Sequence, residues 1–84
     1  MNRNDVYKLI DGERDYQDNL PPDRTDGRKQ SVGEYVVMLF YYLTKAVEAW
    51  TMSAGDKEAL KNIRKIAGIC VHCMEEHDTE PRIK

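Results

Sequence analysis

Carboxylates cluster where two predicted helices would meet at one end of a hairpin, and carboxylates are side chains that bind Mg²⁺. Glu34 lies at the start of one helix, while Glu75, Glu76 and Asp78 lie at the end of the next. Acidic residues in the last turn of a helix oppose the helix dipole unless a cation answers them. A magnesium ion held by Glu34, Glu75 and Asp78 is one solution. Salt bridges to Arg82, to Lys84 or to the loop arginines Arg24 and Arg28 are the other.

Cations and aromatic rings coincide near the middle of the same hairpin. Lys45 on one helix lies opposite Arg64 and Lys65 on the other, with Tyr41 and Tyr42 one turn away. Phosphate groups pair with such cations, and a nucleobase stacks on such rings. The pattern indicates either a nucleotide site or an ordinary solvated helix face, in which case the tyrosines belong to the core.

Cys70, Cys73 and His77 carry side chains that ligate zinc, and they follow one another at i, i+3 and i+7 on one helix face. They supply three ligands, whereas structural zinc sites have four and usually draw them from two segments. The alternative interpretation is that two small core cysteines precede a histidine whose charged form the helix end favours.

The sequence contains no glycine-rich phosphate loop and no Ser-His-Asp pattern.

The helix that positions most of these groups is built on an uncharged run from Tyr35 to Leu43. Ser31 and Glu34 precede the run with the spacing of a capping box, in which each side chain bonds the other residue's backbone N–H. Such a run turns through more than two revolutions, so apolar surface surrounds this part of the helix. A chain of 84 residues struggles to enclose it alone. The pattern therefore predicts that identical copies associate to complete the core.

The sequence predicts a single all-α domain whose last two helices form a long antiparallel hairpin. Apolar spacing and stop signals divide the chain into a helix at about 5–19, a loop at 20–31, a helix at about 32–52, a helix at about 56–77 and a short tail. Asn4 is the predicted cap of the first helix, and Gly12 is the point where that helix could break. If the hairpin turn centres on Gly55, Lys45 lies opposite Arg64.

Composition narrows the class of function. The net charge is −2 and the isoelectric point is about 5.6, which argues against indiscriminate binding of nucleic acid, because that needs a basic surface. No stretch approaches the roughly 20 apolar residues of a membrane span. The polar residues 1–5 lack the apolar core of a secretory signal. We therefore expect a cytoplasmic protein.

Five stretches spread over most of the chain form a recognisable pattern: Glu13-Arg14-Asp15-Tyr16-Gln17, Ser31-Val32-Gly33-Glu34, Tyr42-Leu43-Thr44-Lys45-Ala46, Ile63-Arg64-Lys65-Ile66-Ala67 and Cys73-Met74-Glu75-Glu76-His77. The pattern resembles small phage-encoded relatives of the MazG-like all-α nucleotide pyrophosphohydrolases. This resemblance implies a helical dimer or tetramer. Active members of that family use Mg²⁺ to hydrolyse nucleoside triphosphates to monophosphate and pyrophosphate.

The metal motif of that family is Glu-x-x-Glu on one helix followed by Glu-x-x-Asp on the next, and this chain has only part of it. Glu34 is followed three places later by Val37, and no other pair on that helix supplies the first half. The single Glu-x-x-Asp match, Glu75 to Asp78, falls at the end of the third helix. The resemblance therefore implies the fold and a nucleotide-sized pocket more than it implies catalysis.

These observations lead to the hypothesis of a non-enzymatic helical oligomer that binds a nucleotide or nucleotide-derived signal at a subunit interface, without a cofactor. Lys45 and Arg64 contact phosphate, Arg28 closes over it from the loop, and Tyr16 or Tyr42 stacks on the base. In a phage setting, which the resemblance alone suggests, such a protein sequesters a host immune messenger as a counter-defence.

Two other functions stay open at this point. A Mg²⁺-dependent pyrophosphohydrolase would use Glu34, Glu75 and Asp78. A protein-interaction module would instead present the apolar surface to a host protein.

Overall fold

The computed structural model of the chain describes residues 1–21, 29–52 and 55–83. These ranges contain three α-helices and no strand: α1 (Arg3–Asp18), α2 (Val32–Thr51) and α3 (Gly55–His77). The predicted all-α class and the three helices are confirmed. Within the same ranges, none of the helices combines the length and the hydropathy that crossing a membrane requires.

Reciprocal caps open the first two helices. Ser31 Oγ accepts from the Glu34 N–H at 3.1 Å, and Glu34 Oε1 accepts from the Ser31 N–H at 3.0 Å, so the predicted capping box is confirmed. Helix α1 begins with the same device, in which Asn2 and Asp5 each accept from the other's backbone. The prediction of Asn4 as the cap was wrong, because the Asn2 and Asp5 pair satisfies two backbone donors and leaves Asn4 inside the helix.

Two glycines shape these helices differently. Helix α1 runs unbroken through Gly12, the predicted weak point. Helix α3 begins at Gly55, whose φ of 77° lies in the left-handed region that glycine adopts without steric cost. A residue with a Cβ would be strained at position 55.

Helix α3 is central, because both α1 and α2 pack against it. At one end of the α2–α3 pair, the Tyr35 hydroxyl donates to the Glu76 carboxylate. At the other end, Trp50 Nε1 donates to Asp56 Oδ1 at 2.9 Å. Contacts between α2 and α3 therefore extend over nearly the whole length of α2.

The apolar core is thin. Across the described ranges, the buried apolar residues are Tyr35, Ala46, Ala59 and Ile69. Large apolar residues at helical spacing are exposed over about half of their surface or more, namely Val36, Leu43, Val47 and Trp50 on α2 and Leu60, Ile63 and Met74 on α3. The reason is that α2 packs on α3 alone, while α1 covers a different side of α3.

Candidate functional site

One side of the α2–α3 pair carries an open groove with aromatic and cationic walls, which we call the tyrosine–lysine groove. It is lined by Tyr41, Tyr42, Lys45, Glu48, Ala49 and Met52 of α2 and by Asn62 and Lys65 of α3. Its volume is about 490 Å³, which lies within the range of small-molecule sites. This open groove combines ring faces, two ammonium groups, an amide and the Glu48 carboxylate.

Each lysine of the groove lies over a tyrosine ring. Lys45 Nζ is 5.2 Å from the Tyr41 ring centroid, and Lys65 Nζ is 5.8 Å from the Tyr42 ring centroid. The two rings meet edge to face, with centroids 5.2 Å apart and planes at 80°. Cation–π attraction and ring packing therefore hold both ammonium groups beside aromatic surface.

Glu48 is an acidic neighbour of Lys45. Glu48 Oε2 lies 3.6 Å from Lys45 Nζ, and this carboxylate is the main reason that the pKa of Lys45 is raised above its ordinary value, with Tyr41 the next cause. Lys45 is therefore cationic at neutral pH. Both side chains of the pair are about half exposed, so this ion pair is weak and an incoming phosphate can displace Glu48.

The structure brings together some of the predicted nucleotide-binding residues and separates others. Tyr42 and Lys45 line the groove. Arg64 instead turns toward α1, where its Nε donates to Glu13 Oε1 at 3.0 Å. Tyr16 lies on α1 and is more than half exposed. The remaining predicted residue, Arg28, lies outside the described ranges.

A cluster of charged and polar side chains that the sequence analysis missed joins α1 to α3. It contains two buried charged residues, Glu13 and Arg14. Arg14 Nε donates to Glu75 Oε1 at 3.1 Å, and Gln17 Nε2 donates to Glu13 Oε2 at 3.0 Å. Helical spacing predicts that such charged residues face solvent. The sequence signal for this contact is Gly68, because a glycine in the interior of a long helix allows another helix to approach closely.

The residues predicted to hold Mg²⁺ do not fit one metal site. Glu34 is part of the α2 capping box. Glu75 accepts from Arg14, and Asp78 follows the end of α3 with a positive φ of 58°. No group of three or more His, Cys, Asp or Glu side chains with metal-binding geometry occurs in the part of the chain that the structure describes.

The two cysteines and the histidine that resembled a zinc site make different contacts in the structure. Cys70 and Cys73 are free, half-buried thiols, and burial is the main reason that the pKa of Cys70 is raised. His77 Nε2 lies 2.6 Å from the Gln30 carbonyl oxygen. Its ring also meets the edge of the buried Tyr35 ring, with centroids 6.1 Å apart. These contacts tie the residues before α2 to the last turn of α3.

Comparison with protein-family models, with curated proteins and with solved structures finds no match for this chain.

Proposed function

We propose that this chain is a non-enzymatic binding protein that takes a nucleotide or nucleotide-derived ligand into the tyrosine–lysine groove. The observation that carries the proposal is the pairing of Lys45 with Tyr41 and of Lys65 with Tyr42 in one concave surface. Phosphate binds ammonium groups through charge-assisted hydrogen bonds, and a base binds aromatic faces by stacking. A nucleotide carries both groups in one molecule.

The proposed site draws on both helices of the pair. We infer that α2 and α3 form an antiparallel hairpin. Three contacts support this inference: Tyr35 near the start of α2 with Glu76 near the end of α3, Tyr42 with Lys65 near the middle, and Trp50 near the end of α2 with Asp56 near the start of α3. In such a hairpin the two lysines are held by separate rigid elements, which favours a defined ligand orientation.

The proposal retains the roles of Tyr42 and Lys45 from the sequence-based hypothesis and assigns the α3 cation to Lys65 in place of Arg64. Asn62 adds an amide that can donate to a base or a ribose. We further propose that the protein self-associates and acts in the cytoplasm, where it sequesters its ligand intact. On the residues described, no observation favours the pyrophosphohydrolase alternative.

The test is a calorimetric titration of the full chain with mononucleotides, nucleoside triphosphates, ADP-ribose and cyclic dinucleotides, followed by chromatography of the recovered ligand. We expect at least one ligand of this class to bind and to be recovered unchanged. Lys45→Ala or Lys65→Ala should each weaken binding by about tenfold or more. Lys61→Ala is the matched control, because Lys61 lies on α3 outside the groove and pairs with Glu58 at 2.8 Å.

Two results would end the proposal. One is the absence of binding to every member of the panel at millimolar concentration. The other is equal loss of affinity in Lys61→Ala and Lys65→Ala, which would mean that the groove is not the site. Pyrophosphate release from nucleoside triphosphates with Mg²⁺, abolished by Glu75→Gln in a folded protein, would instead establish the enzymatic alternative.

A further inference from the structure

Both helices of the α2–α3 pair carry an exposed apolar stripe with the spacing of a helix-packing seam. The α2 stripe consists of Val36, Phe40, Leu43, Val47 and Trp50, and the α3 stripe consists of Leu60, Ile63, Ala67, Cys70 and Met74. Intervals alternate between three and four residues along each stripe. This is the pattern by which helices pack against other helices. The occupant of these stripes should therefore itself be helical.

The two stripes lie on the same side of the α2–α3 pair, opposite the tyrosine–lysine groove. Residues two apart on a helix lie about 200° apart around its axis. Lys45 lies in the groove, so Val47 points to the other side of α2. Lys65 also lies in the groove, so Ala67 points to the other side of α3. The stripes together form one continuous surface, which we call the apolar face.

The size of the apolar face is that of one side of a stable interface. Eight large side chains of the two stripes are each between 45 and 71% exposed, and together they present on the order of 800 Å². The whole chain exposes 6892 Å², whereas a compact monomer of 9.8 kDa exposes about 5,200 Å². The radius of gyration of 14.1 Å likewise exceeds the roughly 12 Å of a compact chain of this length.

The apolar face is complementary to itself in side-chain size. Phe40, 71% exposed, is the largest side chain near the middle of the α2 stripe. Ala67 and Cys70, at the middle of the α3 stripe, are small and half-buried. Large residues on one helix and small residues on the other interdigitate when α2 of one copy lies over α3 of a second copy.

We propose that two copies of this chain pair through the apolar face, with α2 of each copy lying over α3 of the other in a four-helix bundle. A two-fold axis parallel to the helices produces this arrangement and places Phe40 of each copy over Ala67 and Cys70 of its partner. The α1 helices lie outside the bundle. The pairing goes beyond ligand binding, and it holds whatever the tyrosine–lysine groove binds.

Sedimentation of the full chain at micromolar concentration tests the pairing. We expect twice the 9.8 kDa chain mass. Leu43→Glu should weaken dimerisation by more than about a hundredfold, because it places a carboxylate in the apolar seam. Tyr41→Glu is the matched control: both residues are 53% exposed, but Tyr41 lies on the groove side, so this variant should stay dimeric. Circular dichroism checks that both variants remain helical.

Thiol cross-linking tests the arrangement of the helices. In a Cys73→Ser background, Phe40→Cys should be joined to Cys70 of the second copy by a short bifunctional thiol reagent, giving a covalent dimer. Tyr41→Cys in the same background should give none. The emission of Trp50, the single tryptophan and a stripe residue, should shift to shorter wavelength as concentration rises.

Three outcomes would overturn the proposed pairing. A folded single-chain mass at micromolar concentration would do so, even if a different protein bound to the apolar face. A mass that Leu43→Glu leaves unchanged would place the interface elsewhere. Cross-linking of Phe40→Cys that persists at full yield when Cys70 is also replaced by Ser would mean that α2 packs on α2.

Discussion

Gly68 of α3 lies so close to Glu13 of α1 that a Cβ at position 68 would be 2.8 Å from Glu13 Cγ. The same Cβ would be 2.9 Å from Gln17 Nε2. Glu13 is not free to move aside, because its carboxylate accepts hydrogen bonds from both Arg64 and Gln17. The absence of a side chain at Gly68 therefore allows α1 to cross α3 closely enough to bury the charged Glu13 side chain between them.

Gly68→Ala should destabilise the protein. Overpacking at this crossing costs about 1 to 3 kcal/mol, and the higher helix propensity of alanine returns up to about 1 kcal/mol. The net result is a lower free energy of unfolding, measured by urea denaturation at a fixed protein concentration. Gly12→Ala is the control, because a Cβ at this α1 glycine has nothing within 4 Å; it should stabilise by up to about 1 kcal/mol. Equal effects of the two substitutions would contradict the close crossing.

Arg64→Ala should lower the free energy of unfolding by about 1 to 3 kcal/mol, because it removes a hydrogen-bond donor from the buried Glu13 carboxylate and leaves Gln17 as its donor among the residues that the structure describes. Adding Glu13→Gln should recover part of this loss, since a neutral amide has no charge to desolvate. A double-mutant cycle in urea measures the coupling. Lys61→Ala, which removes another α3 cation from an exposed pair, should change stability by less than about 0.5 kcal/mol.

Substitutions of Arg64 and Lys65 should have different effects, one on stability and the other on ligand affinity. Lys65→Ala should weaken nucleotide binding and leave the unfolding free energy nearly unchanged, because Lys65 is exposed in the groove. Arg64→Ala should lower stability and leave affinity within about twofold at a temperature where the variant is folded, since changes that do not touch the site shift binding little. If Arg64→Ala loses affinity and Lys65→Ala does not, Arg64 and not Lys65 contacts the ligand.

Stability should fall at alkaline pH because of Tyr35. Burial, and next the hydrogen bond to Glu76, hold the pKa of Tyr35 well above the usual tyrosine value of about 10. The folded state thus retains a proton that the unfolded chain loses. The contribution is fully present below about pH 10 and is lost as pH rises above it, by up to about 1.4 kcal/mol per pH unit.

Urea denaturation between about pH 9 and 11 measures this effect. Tyr35→Phe should remove this part of the alkaline slope, and at neutral pH it should cost about 1 to 3 kcal/mol for the lost bond to a carboxylate. Tyr7→Phe, at an exposed position of α1, controls for the loss of one tyrosine. An alkaline slope that is the same in all three proteins would exclude Tyr35 as its source.

Local signals in the sequence predicted the helices well, because they act within a few residues. The Ser31 and Glu34 capping box is present as predicted, and α2 starts directly after Ser31. Which side chains of two helices face each other was harder to predict. Lys65 lies in the groove where Arg64 was expected, and one residue corresponds to about 100° of rotation. That rotation moves Arg64 out of the groove and toward α1.

The docking of α1 could not be read from apolar spacing. Val6, Leu9 and Tyr16 have the spacing of an inward face, yet all three are exposed. Glu13, Arg14 and Gln17 instead form hydrogen bonds with α3, and polar side chains pair only when geometry brings donors and acceptors together. Periodicity measures hydrophobicity, so it carries no information about such a contact.

The tyrosine–lysine groove and the apolar face lie on opposite sides of the α2–α3 pair, so each chain should bind its ligand independently of pairing. In the proposed dimer, the two tyrosine–lysine grooves point away from the apolar face and open on opposite sides, where no single small molecule can bridge them. Saturation should then follow a simple hyperbola with one equivalent per chain, and dilution that separates the chains should leave the half-saturation concentration unchanged.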